Sequence, residues 1–179
     1  MEDRFAALAE WHDFFAAVAG VAATLVGLLF VALALNPAVM ADDGPAGLRT
    51  LAGQTFHNFL MVLVFALVVL IPEARQLGLG LPVLILSVWG VARVAADARR
   101  VRSDPAPEWH GQALLTRFAS PLVGYAIAVW VGAQILRGDA DAVGWLVATV
   151  FFLMMSATSN CWDLLREIGD RHRTGPVDP

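Results

Sequence analysis

Residues 51–70 read LAGQTFHNFLMVLVFALVVL, a run long and apolar enough to cross a bilayer, yet its first half carries Gln54, His57 and Asn58 within about one helical turn. The hydrocarbon core holds no water to solvate such groups. They must find partners inside the protein, so this run predicts a helix packed among other helices. The fold class follows: all-α, a polytopic transmembrane helical bundle whose other members supply complementary groups.

Four more stretches reach the 17 to 25 or so residues that a bilayer requires. The expected spans are about 14–35, 51–71, 77–96, 118–136 and 142–161, all in one transmembrane domain covering 1–179. Composition agrees, with 58% hydrophobic and 16% charged residues and a mean hydropathy of +0.65. Asn36-Pro37, Pro72, Asp104-Pro105-Ala106-Pro107 and Gly138-Asp139 punctuate the intervals. The third span contains Gly78, Gly80, Pro82 and Gly90 before Arg93, so its regular part is expected to begin near Pro82, with Arg93 snorkelling to the interface. Beyond the fifth span, 162–168 is expected to continue as a cytoplasmic helical extension and 169–179 to form a flexible tail. The N-terminal segment MEDRFAALAEWHD is acidic and lacks a basic leader region, so the first span is expected to be retained.

All twelve basic residues are Arg. With five spans the termini lie on opposite sides, and nine of the twelve (Arg49, Arg93, Arg99, Arg100, Arg102, Arg117, Arg166, Arg171 and Arg173) fall on the C-terminal side. The positive-inside rule then gives an N-out/C-in orientation. Arg99, Arg100 and Arg102 form a lipid-facing basic cluster beside the third span, suited to anionic headgroups or simply to fixing topology. Trp11, Trp145 and Trp162 read as interfacial anchors.

In this topology the start of the second span and the end of the fifth share one depth. Gln54, His57, Asn58 and Met61 follow i, i+3, i+4, i+7 spacing, and Ser156, Asn160 and Asp163 extend a similar face on the fifth span. Asn36 and Tyr125 would approach from the first and fourth. These residues form either a pore or polar cavity, with His57 as its titratable member, or a set of interhelical hydrogen bonds that fix register. On the first span, Gly20, Ala23, Thr24 and Gly27 belong to a small-residue stripe that serves close helix packing or lines a pore axis in an oligomer.

No catalytic motif emerges. DDGPAGLR, 42–49, superficially resembles the opening of the phosphatidyl-alcohol transferase signature, but Ala46 and Arg49 have the wrong spacing and no Asp or Glu follows before Pro72. Nor is there a phosphate-binding Gly loop, HExxH or GxSxG. The single Cys161 has no paired Cys/His spacing. The expectation is a protein that is not an enzyme, with no cofactor, no metal site and no nucleic-acid partner.

WHDFFAAVAGVAATLVGLLFVALALN, 11–36, resembles the first span of small bacterial multi-span inner-membrane proteins that open with an aromatic-Asp-Phe-Phe element and continue through Gly-Leu-Leu-Phe-Val-Ala to Asn. Some of these are described as modulators of a membrane-bound ATP-dependent protease. The resemblance implies a multi-pass protein of the bacterial inner (plasma) membrane and transfers no site residues. The expected function is a homo-oligomer forming an ion- or small-solute-conducting pathway in the lipid bilayer. The alternative is a non-conducting accessory or regulatory protein that binds a membrane-protein partner.

Overall fold

A computed structural model describes residues 2–37, 46–71, 76–103 and 112–174. These residues form an all-α bundle of five long helices: α1 (Glu2–Leu35), α2 (Ala46–Val69), α3 (Gln76–Ser103), α4 (Gln112–Leu136) and α5 (Leu146–Thr174). Each contains a segment long and apolar enough to cross a membrane, so this is a multi-span membrane protein. Helix is the form that lets a spanning segment satisfy its own backbone, and the interruptions obey the same constraint.

Helix ends follow local chemistry. Asn36 closes α1, its backbone N–H donating to Leu33 O at 3.1 Å and its side-chain Nδ2 to Ala32 O at 2.9 Å. After α4, Gly138 adopts φ 95°, with Gly138 N donating to Ile135 O at 2.9 Å and Asp139 N to Gln134 O at 3.0 Å. This pair of bonds is a Schellman cap, and the positive φ is what favours glycine there. A 3-10 turn, Asp141–Trp145, leads into α5.

Two sequence-based boundaries change. α3 is helical from Gln76, six residues before Pro82, and does not wait for the proline. Pro82 removes one backbone donor, a loss that a spanning helix tolerates within a packed bundle. α5 continues through Gly169 to Thr174, so the first part of the expected tail is helical, while 175–179 lie outside the described residues.

Glycines seam the bundle. α3 and α4 run antiparallel at close quarters: a Cβ on Gly90 would meet the Tyr125 ring, one on Gly132 the backbone of Leu84, and one on Gly80 the side chains of Ile135 and Leu136. α4 meets α5 through Gly124, whose carbonyl accepts from the Thr149 hydroxyl at 3.1 Å, and through Ser120 Oγ donating to Phe152 O at 3.0 Å. α2 holds the centre, touching α1, α3 and α5. The apolar window is 61% buried in α2 but only 17% buried in α1, which packs mainly on α2 through Phe15, Ala22 and Leu29.

Gly132→Ala is expected to destabilise the fold by about 1–3 kcal/mol, because the new methyl meets backbone that cannot rotate aside. Gly53→Ala, with nothing within 4 Å of its added carbon, is expected to be neutral or stabilising by up to about 1 kcal/mol through helix propensity. Reversible unfolding in mixed micelles checks both.

Candidate functional site

The polar residues of α2 lie inside the bundle. Gln54, Thr55, His57 and Asn58 are all at most 5% exposed, and Ser156 and Asn160 of α5 join them. Thr55 returns its hydroxyl to Leu51 O of its own helix at 2.8 Å, which leaves the other three to face their neighbours.

Asn58 is the hub. Its Nδ2 donates to Ser156 Oγ of α5 at 3.2 Å, and its Oδ1 accepts from Tyr125 Oη of α4 at 3.4 Å. Three helices are thereby tied at one level. Tyr125 is fully buried because its ring fills the space left by Gly90 of α3. The sequence-based approach of Tyr125 is therefore realised, whereas Asn36 spends its side chain on the end of α1.

His57 points toward α3 and α4. Its ring lies edge-on to Trp89 at 4.8 Å and tilted to Tyr125 at 6.2 Å, while the Arg93 guanidinium sits over the same Trp89 at 5.9 Å. Arg93, Trp89 and His57 thus form a short stack running from the exposed side of α3 inward.

Beyond the hub, Asp163 of α5 accepts from Arg117 of α4 at 2.7 Å, a partly exposed ion pair one turn past Asn160. In the sequence Arg117 reads only as a topology charge. Its pairing with Asp163 is set by the α4–α5 crossing, which periodicity along either helix cannot reveal.

The buried side-chain nitrogens with no hydrogen-bond partner among the described residues include Gln54 Nε2, His57 Nε2 and Asn160 Nδ2. Leaving such a group dry costs about 1–3 kcal/mol. Among the described residues no three His, Cys, Asp or Glu side chains converge as metal ligands, and Cys161 is a free, half-buried thiol. An apolar groove of about 520 Å³ lies elsewhere, between the end of α1 and the start of α2, lined by residues including Phe30, Leu33, Pro37 and Phe56.

The small-residue stripe of α1 is not packed inside this bundle. Gly20, Ala23, Thr24 and Gly27 are exposed, and nothing approaches within 4 Å of a Cβ built on either glycine. Thr24 returns its hydroxyl to Gly20 O at 2.8 Å. Close approach within the chain instead falls to Gly80, Gly90, Gly124 and Gly132. Arg99 and Arg100 are exposed near the end of α3, and the side chain of Arg102 lies outside the described residues.

No protein-family model, curated protein or solved structure matches this chain.

Asn58→Leu is expected to cost about 1–2 kcal/mol by removing both interhelical bonds. Tyr125→Phe, which removes one bond and keeps the ring against Gly90, is expected to cost less than about 1 kcal/mol. Unfolding free energies of the two variants in bicelles would test the ranking.

Proposed function

We propose that this protein assembles with copies of itself through the free face of α1 and that the assembly forms an ion- or small-solute-conducting pathway in a bacterial inner membrane. The observation that carries the reading is the placement of Gly20 and Gly27 on the face of α1 opposite Phe15, Ala22 and Leu29, open to a second helix. Gly20, Gly27 and Ala34 are seven residues apart, and Asp13 stands seven before Gly20. A heptad of small residues suits a left-handed crossing near 20° between parallel copies, in which backbones approach closely.

Around a symmetric axis, Asp13 with His12 beside it would ring one mouth; the two side chains lie 3.5 Å apart and both are exposed. The remaining lining would be small and apolar, a constriction that gates by dewetting. The Arg asymmetry supports placing the Asp13 mouth outside and α5's end in the cytoplasm. Arg99 and Arg100 then meet anionic headgroups of the inner leaflet.

The second reading, a non-conducting accessory protein, is favoured by a different observation: residues 14–35 contain no charged side chain, and the polar hub is buried among the helices of one chain. Gly27→Leu separates the two. Because its site contacts nothing in the monomer, the variant is expected to keep the unfolding midpoint of the subunit while losing the oligomer and any conductance in liposomes. Intact oligomers that pass no current at any voltage would favour the accessory role. Reporters fused before Met1 and after Pro179 are expected outside and inside respectively, and both on one side would reverse the assignment of the mouths.

A further inference from the structure

Two of the unmet hydrogen-bonding groups of the interior share one level between α2 and α5, and His57 stands one turn from them on α2. α2 and α5 run antiparallel, since Phe59 packs with Ala157 and Ala52 with Leu164. In the register set by the Asn58–Ser156 bond, the residue four before Asn58 is Gln54 and the residue four after Ser156 is Asn160. Gln54 and Asn160 therefore share the next level, one turn along both helices. They are 4% and 1% exposed, and neither amide nitrogen meets an acceptor among the described residues. One turn further lies the partly exposed Arg117–Asp163 pair. In the opposite direction lies His57, with its Nε2 also unmet.

We propose that ordered water occupies the level of Gln54 and Asn160 and continues to His57, forming a file that opens beside the Arg117–Asp163 pair and connects the imidazole to solvent on one side of the membrane. Water is the occupant because it both donates and accepts, and buried water characteristically serves polar groups the protein leaves unmet. An anion or a cation would need a net countercharge, whereas Arg117 and Asp163 neutralise one another at the mouth. The groups facing His57 are Trp89 of α3 with Arg93 over it, and Tyr125 of α4; Ser156 and Asn160 of α5 flank the file through Asn58 and Gln54. The file lies within a single subunit and does not depend on assembly through α1.

Water-edited solid-state NMR on the isotope-labelled full-length protein in lipid nanodiscs tests this. Polarisation from water is expected to reach the His57 ring and the Gln54 and Asn160 amides several-fold faster than Phe65 or Val62, which are fully buried in the apolar core. Replacing both amides, Gln54→Leu with Asn160→Leu, is expected to reduce transfer at His57 to the core rate. Core-like transfer in the unmodified protein would overturn the proposal, and so would fast transfer to His57 that survives in the folded double variant. If the double variant does not fold, the unmodified protein still decides the question. Oligomer size, read on the same samples, reports separately on α1.

Discussion

The rest of the structure depends on one constraint: α2 carries amide and imidazole groups at membrane depth, where lipid cannot solvate them. The solution is to place α2 at the centre, with α1, α3 and α5 against it. Asn58 converts the constraint into specificity, because its carbonyl and amide ends reach different helices. Apolar packing alone distinguishes helix registers weakly in a bilayer, since lipid tails are as apolar as leucine. A pair of bonds that is complete only when Ser156 and Tyr125 both reach Asn58 selects one register among many near-equivalent ones.

The glycines of α3 and α4 make that register reachable. Tyr125 can meet Asn58 with its ring fully buried because Gly90 leaves room, and α3 can lie against α4 because Gly132 exposes backbone to backbone. A side chain at either site would push the helices apart and lift the Tyr125 hydroxyl from its acceptor. The Arg117–Asp163 pair and the Thr149 and Ser120 hydroxyls then fasten α4 to α5 on both sides of the hub.

Much of this was legible in sequence. The five spans follow from length and hydropathy, and the buried face of α2 from polar residues spaced three and four apart. The turn at Gly138-Asp139 follows from the backbone that glycine alone adopts easily. What stayed hidden was which small residues meet which helix. Gly20 and Gly27 have the more regular spacing, yet Gly80, Gly90, Gly124 and Gly132 make the contacts. Periodicity describes one helix, whereas a crossing is a property of two. For the same reason Arg117 looked like a topology charge until the crossing of α4 and α5 placed it on Asp163. Pro82 misled in a simpler way: in a soluble helix it would set a boundary, but within a packed bundle the missing bond is tolerated.

The interior and α1 therefore pose different physical problems. The exposed valines, leucines and phenylalanines of α1 carry no penalty in lipid, so their exposure alone drives nothing. What matters on that face is missing volume. At Gly20 and Gly27 the helix surface is indented, and a mobile acyl chain fills a fixed indentation less completely than a rigid, complementary helix does. In the proposed assembly the gain from a second helix would be the dispersion recovered along the heptad of small residues, together with the release of lipid. In α2 the problem is polarity, and only hydrogen-bonding groups answer it. One chain thus separates two kinds of surface: polar bonds among α2, α4 and α5 fix how it folds, and in the proposed assembly shape along α1 would determine what it holds beside it.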